Sequence, residues 1–240
     1  MARENGEPWP AAMPTTSLWR ELFGFGLAIS FSPLHIGLLL LILVGPSPLR
    51  RGSWFVLGWL LTSAAAMALL LSVGHGLLLT MEQGTDQRTG LDLLGAGGLL
   101  ALGLKGLQGS RQENGPPGWT RRLDGFCALP LPLLLGLSAA VQVSSPDDLF
   151  LYAKTAASLL EAGLGGTREL ITTGVFSLFT GTLLLLPLAG LALVGQERLL
   201  PLLQAGKAWL FANAELIVAA ICFGLAAYLG WQGIEGLRAG

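Results

Sequence analysis

Charge is scarce in this chain. Of 240 residues only 12% are Asp, Glu, Lys or Arg, where an ordinary soluble domain carries about 25%. The 14 basic and 15 acidic residues nearly cancel and form no long basic tract, which excludes nucleic acid as a partner. Cysteine is scarcer still. Cys127 and Cys222 stand far apart, without CxxC or metal-ligand spacing, and read as small apolar residues, with no metal site implied. Walker A, HExxH, GxSxG and dinucleotide-binding patterns are all missing. The sequence therefore offers no support for nucleotide-driven transport or hydrolysis, and no cofactor or catalytic residue is expected.

What is present is apolar. Hydrophobic residues make up 52% of the chain and fall into long runs. A bilayer core of about 30 Å needs roughly 20 apolar residues per helix. Runs at 22–44, 54–79, 91–107, 126–160, 170–194 and 214–234 meet or approach that length. Unpaired backbone in hydrocarbon costs several kcal/mol per group, so only helices or closed barrels can span, and runs this long without alternation are not barrel strands. The expectation is an all-α integral membrane protein with six transmembrane helices and no sizeable soluble domain. Residues 1–21 read as a flexible N-terminal tail rather than a cleaved signal. Residues 199–211 read as interfacial. The longest polar loop is 108–125, and Lys and Arg cluster on its side, in the loops after the first, third and fifth helices. That bias places the loop in the cytoplasm and both termini outside it.

The two halves echo one another. Ser32-Pro33 precedes Gly58 in the first, and Ser145-Pro146 precedes Gly174 in the second; the halves end Gly106-Leu107-Gln108-Gly109 and Gly230-Trp231-Gln232-Gly233. Residues 22–107 and 126–240 thus read as two three-helix repeats. An odd number of helices per repeat turns the second upside down relative to the first, the inverted-topology plan of many secondary transporters.

Ser-Pro in mid-helix is the central feature of each half. Proline removes a backbone donor and clashes with the preceding turn, so helices 1 and 4 should break there. His35 follows Pro33 by two residues, and Asp148 follows Pro146 by two, beside Asp147. Ionisable groups at that depth are costly and mark substrate or ion pathways. The candidate pathway is Ser32, Pro33, His35, Ser145, Pro146, Asp147, Asp148 and Lys154. Each has a plainer reading: proline shapes many membrane helices, a histidine can be a buried hydrogen-bonding group, and acids complement a helix start at the interface. Lys154, seven residues after Asp147, lies two turns along the same face.

The segment FSPLHIGLLLLILVGPSPLRRGSWFVLGWLL resembles the first two helices of the GAP (Sap-like) family of the lysine-exporter (LysE) transporter superfamily. Ser32-Pro33, the basic loop at Arg50-Arg51, Phe55, Gly58 and Ser145-Pro146 carry the likeness, which extends over most of the chain after Leu22. It implies a six-helix secondary transporter in the bacterial plasma (inner) membrane, exporting a small solute, a cation or an envelope lipid from a midplane site. Its partners would be the bilayer, a small-molecule or ion substrate and, admissibly, a second copy in a homodimer. Asp147-Asp148 departs from the basic or amide residues commoner after that proline. Two rival classes share the architecture. A thiol–disulfide electron carrier of the cytochrome-biogenesis type needs a cysteine at each break, where this chain has Ser32 and Ser145. A non-transporting membrane accessory protein would have no need of intramembrane acids.

Overall fold

The computed structural model describes residues 15–76, 86–110 and 129–239. Most of the N-terminal tail, the connector around 77–85, most of the polar loop and Cys127 lie outside the described residues. Within them the chain is all helix: α1 (Thr15–Ser30), α2 (Pro33–Val44), α3 (Pro48–Gly76), α4 (Asp86–Ser110), α5 (Leu131–Val143), α6 (Pro146–Glu161), α7 (Gly166–Thr180), α8 (Thr182–Val194) and α9 (Gln196–Ala239).

The helices wear apolar side chains outward as well as inward. On α3, Phe55, Trp59, Met67 and Leu71 are buried, while Leu57, Leu61, Leu69 and Val73 are exposed. A helix apolar all round belongs inside a large core or in a membrane. The inward faces also hold polar groups, among them Ser63, Ser138, Gln142 and Lys154. Apolar outside and partly polar inside suits hydrocarbon as the solvent. Among the described residues two helices, α3 and α9, are long and apolar enough to cross a membrane alone, and the bent pairs α1–α2 and α7–α8 raise the number to four if each is one span.

The run expected to form the first helix is the pair α1–α2, bent by 53°. α2 is the innermost element, with every residue from Gly37 to Leu43 buried. The run expected as the fourth helix is α5 followed by α6, interrupted at Ser144 and Ser145. Three features differ from the sequence reading. α1 begins at Thr15, ahead of the apolar run, because Leu18, Leu22, Phe25 and Ile29 form a buried stripe at helical spacing. The fifth run is broken too: α7 and α8 meet at 64° across Gly181. There the hydroxyls of Thr180 and Thr182 turn back to the carbonyls of Ser177 and Phe179, at 2.9 and 2.7 Å, a pattern that bends helices. Ser30 caps the same bend by donating to the Thr180 carbonyl at 3.0 Å. Finally, 199–211 is no separate interfacial piece but the first part of α9, which runs 44 residues unbroken. At 1.5 Å per residue that is roughly 66 Å, about twice the thickness of a bilayer core.

The most extensive packing in the bundle is between α4 and α9, where small residues allow close approach. A Cβ on Gly233 would lie 2.7 Å from Leu93, and one on Gly103 3.3 Å from Cys222. α1, α3, α5 and α6 pack together on the other side, and α2 lies against both α3 and α9.

Candidate functional site

Both Ser-Pro breaks have the same local shape. Ser32 caps α2 at φ −77°, ψ 102°, and Ser145 caps α6 at φ −90°, ψ 101°, each followed by proline as the first helical residue. An extended cap before a proline is what sterics demand, and the missing N–H costs nothing in the first turn.

The side chains that follow differ. His35 is fully buried beneath α3 and α5, its ring edge-on to Trp59 with centroids 4.2 Å apart. Its Nε2 lies 3.2 Å from the Ser138 carbonyl and its Nδ1 2.9 Å from the Ser32 hydroxyl. A carbonyl can only accept, so Nε2 donates there and Nδ1 accepts from Ser32. Next to it is a second buried network. The Gln142 amide donates to Ser63 Oγ at 2.8 Å and to Tyr152 Oη at 2.7 Å, and Ser63 and Tyr152 bond each other at 2.7 Å. These contacts bind α2, α3, α5 and α6 together.

Asp148 occupies the position in α6 that His35 holds in α2. It is 4% exposed, and its Oδ2 is buried without a hydrogen-bond partner among the described residues. The Ser145 hydroxyl, which could have served it as Ser32 serves His35, donates instead to the Val141 carbonyl at 3.0 Å. Asp147 and Asp148 line a cavity of about 30 Å³ that includes Ser32 and Pro33 from the other break. Ala28 of α1, Leu99 of α4 and Leu225 of α9 contribute to its walls, as does Cys222. The space suffices for a water molecule or two.

Seven residues along each of those elements lies a charged layer. From Ala28, Leu99 and Leu225 the step leads to Glu21, Asp92 and Gln232, and from Asp147 and Leu151 on α6 to Lys154 and Ser158. Lys154, wholly buried, donates to Asp92 Oδ1. The Ser158 hydroxyl donates to Glu21 Oε2 at 2.5 Å and the Gln232 amide to Glu21 Oε1 at 3.3 Å. The layer therefore ties α4 and α9 to α1 and α6 about 10 Å, or two turns, from the cavity.

On its other flank the cavity adjoins an apolar groove of about 290 Å³, lined by residues including Ile36, Leu40, Leu183, Trp209 and Ile217. Phe31 and Pro33 belong to the walls of both.

The structure thus brings Ser32, Pro33, Asp147 and Asp148 around one space. It places His35 in the α2–α3–α5 contact, ties Ser145 back to its own preceding helix, and commits Lys154 to Asp92 rather than to the aspartates of its own helix. Glu21, Asp92, Ser63, Gln142, Tyr152, Ser158 and Gln232 were missed. Glu21 had a legible signal, since it sits on the 18–22–25–29 stripe; the others required knowing which helices are neighbours. Among the described residues no group of three His, Cys, Asp or Glu side chains could hold a metal ion. Cys222 is a buried free thiol, on the cavity wall and not at a helix break.

No curated protein and no solved structure matches the chain. Residues 22–235 match the family described as Sap, sulfolipid-1-addressing protein. The match spans both breaks, the cavity and all of the charged layer except Glu21, and the chain belongs to that family.

Proposed function

We propose that this protein is a secondary transporter that moves an envelope lipid, the polar head entering between the Ser32-Pro33 and Ser145-Pro146 breaks as the small cavity there widens to admit it. The observation that carries this reading is the shared wall at Phe31 and Pro33, which sets a small cavity bearing two carboxyl groups directly beside an apolar groove. A small hydrophilic solute has no use for the groove; a molecule with a head and an acyl chain uses both. The name of the family points to a lipid as well. Carboxylates accept hydrogen bonds and repel anions, so Asp147 and Asp148 favour a head presenting hydroxyls over one presenting a bare anionic group.

In this reading the chain has six spans in two inverted repeats in the bacterial inner membrane, as in the lysine-exporter superfamily, with both termini outside. The charged layer closes one side of the cavity. Opening it separates α4 and α9 from α1 and α6, and the breaks serve as hinges.

The test compares surface-extracted with cell-retained lipids by mass spectrometry, in cells with and without the protein and with Gly206→Phe. Gly206 lines the groove and has open space at its Cβ, so phenylalanine fills the groove without disturbing the core. Loss of one surface lipid class in both the deletion and the Gly206→Phe strain is expected. Unchanged lipids alongside altered amino-acid or metal content would overturn the lipid reading in favour of a small solute.

A further inference from the structure

Asp148 presents a problem that the lipid reading does not solve. A carboxylate in a water-poor interior needs partners, and desolvating one without them costs several kcal/mol. One oxygen of Asp148 has no hydrogen-bond partner among the described residues, although the residue is 4% exposed. The nearby cation, Lys154, is engaged with Asp92. We propose that Asp148 is an exchangeable proton-binding site, loaded and emptied through the cavity, and that its proton is exchanged for the lipid head during transport. The second half of this statement rests on the lipid-transport reading; the proton site does not.

The geometry selects the proton among cations. A sodium or divalent ion needs several oxygen ligands. Apart from Asp147 and Asp148 the walls of this cavity are mainly apolar, with Ala28, Phe31, Leu99, Leu151, Val218 and Leu225 among them. The Ser32 hydroxyl, whose proton goes to His35, adds at most one oxygen ligand. A proton makes no coordination demand: it adds to Oδ2 and converts the carboxylate to a neutral acid that donates one hydrogen bond. The cavity is large enough for the water that delivers it.

Among the described residues the ionisable surroundings are few. Asp147 is adjacent on α6, and Tyr152 follows one turn later, bonded to Ser63 and Gln142. α9 presents Cys222 at the cavity wall. α2 carries His35, with both ring nitrogens occupied. α1 and α4 bring Glu21 and Asp92, both two turns away in the charged layer. α3 and α5 face this region with Ser63, Ser138 and Gln142, none of them ionisable. Because the cavity holds only a water or two, a substrate head entering it displaces the water path to Asp148. Proton and lipid therefore occupy the site in turn, and one proton moves inward as one lipid moves out.

The experiment is infrared spectroscopy of the full chain in liposomes as pH is stepped, with and without carboxyl-¹³C aspartate. A protonated carboxyl band should titrate, shift on aspartate labelling, vanish in Asp148→Asn and persist in Asp147→Asn. If Asp148→Asn fails to insert, Asp148→Glu keeps the test alive, because the titrating band should then follow labelled glutamate instead. The proposal is overturned if no aspartate band titrates, if the band survives in Asp148→Asn, or if sodium at constant pH and ionic strength shifts its titration. No lipid enters this readout. A titrating Asp148 with unchanged envelope lipids would end the lipid reading alone, and altered lipids with no titrating band would end the proton site alone.

Discussion

The two Ser-Pro breaks are built alike and used differently. Their cap dihedrals agree within about 15° (φ −77° and −90°, ψ 102° and 101°), and each places an ionisable residue three positions after the serine. In the first, that residue is His35, whose two nitrogens cross-link α2 to its own cap and to α5. In the second it is Asp148, left with an unpartnered oxygen on a cavity wall. The glycines matched between the halves diverge as well. A Cβ on Gly58 would meet the Leu135 carbonyl at 2.6 Å, whereas Gly174 faces open space. One half of the molecule has spent its polar groups on packing, and the other keeps a carboxyl in reserve. Equal backbone geometry at two positions is therefore no guide to equal roles; the hydrogen-bond partners decide.

The largest effect should come from the buried ion pair between Lys154 and Asp92, one of the contacts between the halves. Lys154→Met leaves Asp92 buried without its cation, a change that costs about 3–5 kcal/mol when a buried pair is broken from one side. The double variant Lys154→Met with Asp92→Leu should recover most of that loss in denaturant unfolding in detergent. A double variant no better than the single would show that the pair is not the main partner of either group.

Next is the contrast between His35 and Asp148. His35→Phe removes both hydrogen bonds of the ring, to Ser32 and to the Ser138 carbonyl, and should lower stability by about 1–3 kcal/mol. Asp148→Asn removes a charge that is expensive to bury, so it should be neutral or stabilising in the same assay while abolishing lipid export in cells. Equal destabilisation by the two substitutions would erase the distinction drawn here.

The smallest difference concerns the cap serines. Ser32→Ala removes the donor to His35 Nδ1 and should cost about 0.5–1.5 kcal/mol. Ser145→Ala removes only a bond back to a carbonyl of its own preceding helix, a type that contributes little, so its melting curve should overlay the parent's. A larger loss at Ser145 than at Ser32 would mean that the Ser145 hydroxyl serves Asp148 after all.

Much of the architecture was legible in the chain itself. Low charge and long apolar runs dictate helices whose outer faces are apolar, because an unpaired backbone group in hydrocarbon is too costly for any open alternative. The breaks at Pro33 and Pro146 were equally legible, since proline's missing N–H and its clash with the preceding turn are local. So was the presence of ionisable groups beside them. The bend at Gly181 was not, because it depends on hydroxyls that fold back locally and on Ser30 reaching over from α1. Nor was the extent of α9, which runs on through Pro201, a residue that by local rules interrupts a helix. Only the tertiary structure decided how the polar groups pair. Lys154 and Asp92 are 62 positions apart, and Glu21 and Gln232 are 211. Periodicity can place a residue on a face, but which faces meet depends on how all the helices pack at once, and that packing gave His35 its partners and left one oxygen of Asp148 without any.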